Sequence, residues 1–118
     1  MKRFILTAVL GCLISGAAMA QKAKVVNIAT PTVQCEMCKT RIEQYLKRVD
    51  GVTFVNVKYK AKQTQVKYLS DRTDEEIIKA SIANAGYDAG EIAANSDSYK
   101  LLPKCCKKPE DGGGMKKK

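Results

Sequence analysis

Two cysteines three positions apart, Cys35 and Cys38, sit where one periodicity of the chain gives way to another. Ahead of them, Val25-Val26-Asn27-Ile28-Ala29 alternates as a strand does. Behind them, Arg41 to Val49 repeats its apolar residues at helical spacing. A strand that ends in C-x-x-C, with the second cysteine opening a helix, places two thiols at a helix N-terminus. The partial positive charge there favours thiolate, which is both a metal ligand and a nucleophile. Three readings follow: soft-metal binding, thiol–disulfide chemistry, or a structural disulfide.

The rest of the chain supplies the frame. From Cys38, residues Ile42, Tyr45, Leu46 and Val49 share one helical face, and Asp50-Gly51 ends the helix with Gly51 as the residue past the cap. Val52 to Tyr59 is rich in strand formers. Lys60-Ala61-Lys62-Gln63 is a polar turn without the Gly or Asn of a tight two-residue hairpin. Thr64 to Tyr68 alternates again and is expected to pair antiparallel with the preceding run. Thr73 and Glu76 form a capping box that opens a second helix, with Ile78, Ile82 and Ala85 inward and Gly86 closing it. Tyr87 to Ala93 is expected as a short edge strand.

Strand–helix–strand–strand–helix–strand is the order of a ferredoxin-like α+β sandwich, βαββαβ. It predicts a four-stranded antiparallel sheet with both helices on one face. That topology brings the first loop and the loop after the second helix to one end of the sheet, placing Tyr87 near Cys35 and Cys38. The expected division is a signal over residues 1–20, a folded domain over 24–93, and a flexible basic tail over 94–118 that runs through Gly112-Gly113-Gly114.

The signal reading rests on Lys2-Arg3, an apolar run from Phe4 to Ile14, and Ala18-Met19-Ala20 before Gln21. It predicts export, in a bacterium to the periplasm. The alternative is lipid anchoring at Cys12, because Val9-Leu10-Gly11-Cys12 resembles a lipobox. Cleavage after Ala20 removes Lys2 and Arg3 and no acid, lowering the formal charge from +9 to +7. Much of the remaining excess lies in Lys104, Lys107, Lys108 and Lys116-Lys117-Lys118, so it is a tail property. An exported chain without an aromatic-interleaved basic stripe is not expected to bind nucleic acid.

Histidine is absent, which removes the commonest general base and the usual ligand of catalytic zinc. No enzymatic chemistry is predicted. Four cysteines remain after cleavage, as the pairs Cys35/Cys38 and Cys105/Cys106, with none in the long middle of the chain. The core must therefore stand on apolar packing.

The C-x-x-C between first strand and first helix, Gly51-Val52 with Val55 and Val57, Val66 with Tyr68, and Asn84-Ala85-Gly86-Tyr87 together resemble the heavy-metal-associated domain. This family includes copper chaperones, N-terminal modules of metal-exporting P-type ATPases and periplasmic mercury-binding proteins. The resemblance implies a soft cation on Cys35 and Cys38, transferred by ligand exchange to a membrane transporter or P-type ATPase. It also implies a monomer, or a dimer bridged by the metal. The chain departs from the family at Thr32-Val33, where Gly-Met is usual, so that Val33 must fill the space under the loop. Glu36 between the thiols is expected to raise their pKa.

Soft thiolates select Cu(I) or Hg(II), with Zn(II), Cd(II) and Ag(I) as further candidates. Two thiolates suit near-linear Cu(I) or Hg(II), whereas tetrahedral zinc needs two more ligands. Cys105 and Cys106 are candidate accessory ligands, although adjacent cysteines chelate one tetrahedral ion awkwardly. Redox or structural use of that pair is the alternative, and Lys104 and Lys107 beside it are expected to lower its thiol pKa. Tyr87 is either a half-buried aromatic or a shield for the metal loop. Lys39, Arg41, Lys47 and Arg48 are a solvated face that a partner's acidic surface would complement. The competing function is a periplasmic thiol–disulfide oxidoreductase using the same Cys35 and Cys38.

Overall fold

A computed structural model describes residues 23–113. The signal segment and Cys12 lie outside the described residues. Strand β1 (Ala23–Ala29) leads through a loop to helix α1 (Glu36–Leu46), followed by strands β2 (Val52–Lys58) and β3 (Gln63–Leu69) and helix α2 (Glu75–Asn84). A short helix α3 (Ser96–Lys100) and two 3₁₀ turns, Lys104–Cys106 and Pro109–Asp111, follow among the described residues. No helix among the described residues is long and apolar enough to cross a membrane.

The sheet runs β1-β3-β2 and is antiparallel throughout. Val26 pairs with Val66, and Val66 with Val55, so the inward residues form rungs across three strands. Period-two alternation alone would put Val52 and Val55 on opposite faces. A register shift between Val52 and Phe54 inserts a residue and returns both valines to the core side. Phe54 is left at the surface, where the Lys67 ammonium lies 5.2 Å from its ring centre.

The expected fourth strand does not form. Gly90, at φ +56°, sits in a turn closed from both sides by Ala89 and Ile92, and this folds the segment back on itself. Only the Gly90 amide reaches the edge of β1, donating to the Ala29 carbonyl at 2.8 Å. Lys79 ties the turn to α2 through ion pairs of 3.1 Å to both Glu75 and Glu91. Asp88 accepts from the Ala94 amide and closes the loop from within.

Cys38, Ile42 and Leu46 are the buried face of α1, and Tyr45 is more exposed than the helical pattern predicts. The helix stops at Leu46, before the expected position, and Gly51 (φ +93°) serves the turn into β2. An added Cβ at Gly51 would fall 2.7 Å from the Arg72 Cβ, so the close approach needs glycine as much as the torsion does. The cap of α2 also shifts by one. Asp74, rather than Thr73, accepts from the Ile77 amide at 2.9 Å, while Thr73 turns inward and is buried. A carboxylate is at least as good a cap as a hydroxyl, and Thr73's methyl packs toward Gly51 instead.

The segment expected as a flexible tail is packed against the domain as far as it is described. Asn95 caps α3 through the Ser98 amide and donates its own amide to the Ala83 carbonyl. Leu102 is buried over Gly86, whose φ of +107° and missing side chain leave room for it: a Cβ there would lie 3.0 Å from the leucine side chain. The Gln34 side-chain amide donates to the Lys107 carbonyl at 2.6 Å, which fastens the second cysteine pair to the first loop.

Candidate metal centre

The first thiol pair is built by the exit from β1. Thr30 hydrogen-bonds Thr64 inside the core, and its amide donates to the Lys62 carbonyl in the β2–β3 turn. Lys62 is the one described non-glycine residue at positive φ, and its ammonium donates to the Val33 carbonyl at 2.6 Å. Val33 is fully buried, filling the space beneath the loop as expected. Two bends and a buried valine thus fix the direction in which the chain enters α1.

The helix begins two residues earlier than the sequence suggests, at Glu36 rather than Cys38. Cys35 is the N-cap residue and Cys38 lies in the first turn, with their sulfurs 3.2 Å apart. Burial pushes the Cys35 thiol up, but the Cys38 amide and the Cys38, Cys105 and Cys106 thiols outweigh it. Cys35 is left below the ordinary thiol range. Glu36, at the exposed start of the helix, is not among the groups that shift it, so the expected upward push is not seen.

The second pair lies on the same site. Cys35 Sγ is 3.7 Å from Cys105 Sγ and 3.9 Å from Cys106 Sγ, and the last two sulfurs are 3.9 Å apart. These three thiols form the metal-sized cluster found among the described residues. The 3₁₀ turn, closed by the Cys106 amide on the Pro103 carbonyl, lets neighbouring cysteines direct their sulfurs to one point. The flanking lysines do not prevail over burial. Desolvation, joined by hydrogen bonding to Cys35, raises Cys105, and desolvation with hydrogen bonding to Cys38 raises Cys106 further. Cys106 is fully buried, whereas Cys105 is half-exposed with the Met37 thioether at 3.7 Å.

Tyr87 is where the topology predicts it, but fully rather than half buried. Its hydroxyl lacks a hydrogen-bond partner of ordinary geometry. Burial raises its pKa, and Cys106 and Cys38 raise it further, so the phenol is neutral and faces the thiols. The Asp88 amide donates to the Thr32 hydroxyl at 3.1 Å, joining the loop after α2 to the cysteine loop. Lys39 is held by Glu43 at 3.2 Å and Asn56 at 3.3 Å, which ties it to its own helix and to β2. An open recess lined by Cys35, Met37, Tyr59, Lys60, Lys62 and Cys105 adjoins the cluster.

With these features in place, comparison with known proteins is direct. The heavy-metal-associated domain matches residues 28–88, and the chain belongs to that family. It is similar to the mercuric transport protein periplasmic component of Shewanella putrefaciens: 31% identical over 64 residues, covering 54% of this chain and 70% of that protein. It is also similar to a copper-exporting P-type ATPase of Staphylococcus aureus (strain Newman), 35% identical over 63 residues, which are 53% of this chain but only 8% of the ATPase. The crystal structure of oxidized MerP from Ralstonia metallidurans CH34 superposes with a TM-score of 0.56 at 23% identity. That match covers 58% of this chain and 96% of MerP, and it is a likeness of fold.

Proposed function

We propose that this protein is an exported metal-binding protein that takes a soft cation, Cu(I) or Hg(II), on the thiolates of Cys35 and Cys38. It either passes the ion to a membrane transporter or sequesters it. One observation carries the reading: in a chain of the heavy-metal-associated family, the two thiols meet at the start of α1 with Cys35 held toward thiolate. The names of the relatives, a mercuric transport protein and a copper-exporting ATPase, support the same class of cargo. Export rests on the signal pattern of residues 1–20.

Transfer proceeds by ligand exchange. A thiolate of the partner adds to the bound cation, a three-coordinate intermediate forms, and one of the original cysteines leaves. No covalent bond of a substrate is made or broken, so catalysis is not part of the function.

The test is a titration of the reduced chain with Cu(I) and Hg(II) against a competing chelator, beside the Cys35→Ser/Cys38→Ser variant. Wild-type protein should hold the ion far more tightly. Equal affinity in both would sink the proposal, and dithiol-dependent reduction of insulin would favour an oxidoreductase.

A further inference from the structure

The separations among Cys35, Cys105 and Cys106 carry more than proximity. With bonds near the ~2.3 Å of zinc thiolates, one ion holds its sulfurs about 3.8 Å apart in tetrahedral, about 4.0 Å in trigonal and about 4.6 Å in linear geometry. The triangle measures 3.7, 3.9 and 3.9 Å, the spacing of three sulfurs around one ion. Cys35 and Cys38, at 3.2 Å, are closer than any of these geometries allows and must spread before they share a cation.

We propose that Cys105 and Cys106 join Cys35 in a three-thiolate site for a soft metal ion, and that the C-terminal segment acts as an internal strap holding the ion inside the protein. This rests on the soft-metal reading above, and it changes both the ligand set and the fate of the cargo.

The strap is anchored independently of the sulfurs. Leu102 is buried on Gly86, Gln34 holds the Lys107 carbonyl, and the Tyr99 hydroxyl accepts from the Lys108 amide at 2.8 Å. The cluster is therefore assembled by packing and hydrogen bonds before any ion arrives. That lowers the ordering cost of the third ligand. Cys106 is fully buried and Cys105 half-exposed, so Cys105, beside Met37, is the ligand that an incoming thiol meets first. A receiving partner must displace it to withdraw the ion.

The experiment is X-ray absorption at the mercury edge on the reduced full chain loaded with one equivalent of Hg(II), compared with Cys105→Ser, Cys105→Ser/Cys106→Ser and Cys38→Ser. The full chain and Cys38→Ser should show three sulfurs at the metal. Cys105→Ser should show two with the ion still bound, and its retention against a competing dithiol should fall on the order of a hundredfold, as a tethered ligand is lost. Cys105 is half-exposed, so that variant tests the ligand count without cutting into the core. Two sulfurs in the full chain, or a count unchanged in Cys105→Ser, would overturn the strap. Failure of every variant and of the full chain to retain Hg(II) would instead remove the soft-metal reading on which it rests.

Discussion

The two cysteine pairs meet in one cluster, yet they are held by different means, and Cys35 is pushed in the opposite direction from Cys105 and Cys106. Cys35 and Cys38 stand on regular structure, between a strand paired along its length and an eleven-residue helix. Cys105 and Cys106 stand on a three-residue 3₁₀ turn held in place by Leu102 and a few side-chain hydrogen bonds. Cys35 keeps a lowered pKa because a helix-start amide and neighbouring thiols donate to it. Cys106 is raised because it is sunk in the core. One residue type is thus shifted toward thiolate or away from it depending on the donors and the burial around it. The lesson is that Cys35 is poised to react and the second pair is poised to be recruited.

The sharpest way to break this contrast is through the core that both pairs share. Ile42→Ala, one turn beyond Cys38 and fully buried, should cost about 2–5 kcal/mol in chemical denaturation and loosen both pairs together. Leu102→Ala should separate them. Its loss, toward the lower end of that same range, about 2 kcal/mol, should free the strap while the sheet and α1 persist. Alkylation mapped by mass spectrometry should then find Cys106 newly accessible and Cys35 little changed; protection of Cys106 in that variant would show that the strap does not depend on Leu102.

Gly86→Ala probes the same contact from the other side. An L-residue at φ +107° with its Cβ 3.0 Å from Leu102 should lower stability by about 1–3 kcal/mol, read by thermal unfolding. Asp74→Ala removes a cap from α2, remote from the thiols. It should cost about 1 kcal/mol and leave the alkylation pattern untouched.

The smallest effect is the pH dependence of the metal-free reduced protein. Cys106 has a native pKa above its unfolded one, so its contribution is complete below the ordinary thiol range and is lost as pH rises from that range toward its raised native value. Cys35 has the opposite sign: its contribution is present above the ordinary range and lost as pH falls through its lowered native value. Cys106→Ala should therefore flatten the alkaline side of the stability profile, whereas Cys35→Ala should not. In the wild-type chain, Cys35 should alkylate before Cys106 at neutral pH.

The order of the first five elements was legible because each carries its own periodicity, as in Val26-Ile28-Thr30 or Ile42-Leu46. Burial along those elements follows the pattern at Ile28, Ile42, Leu46, Val66 and Ile82 and departs from it at Tyr45. The placement of Tyr87 beside the thiols followed from topology alone. The fourth strand was misread because Tyr87 to Ala93 contains enough apolar residues for an edge strand, while a glycine turn and Asp88's bond to Ala94 favour closure within the segment. Thr73 was misread as the cap because Asp74 beside it competes for the same role, and the choice depended on whether the Thr73 methyl had somewhere to go.

The largest gap concerns the C-terminal segment. Lysines, glycines and adjacent cysteines look solvated along the chain, and the two leucines Leu101-Leu102 give little sign of docking. Yet Leu102 has a partner in Gly86, a surface that exists only once α2 has ended and the chain has turned through positive φ. By itself the sequence determined helices α1 and α2, strands β1 to β3 and the C-x-x-C at the start of α1, because local periodicity and turn chemistry act over a few residues. The tertiary structure alone decided that Cys105 and Cys106 stand at Cys35, some seventy residues earlier in the chain. That meeting depends on packing between surfaces the folded core creates, and no short-range pattern encodes it.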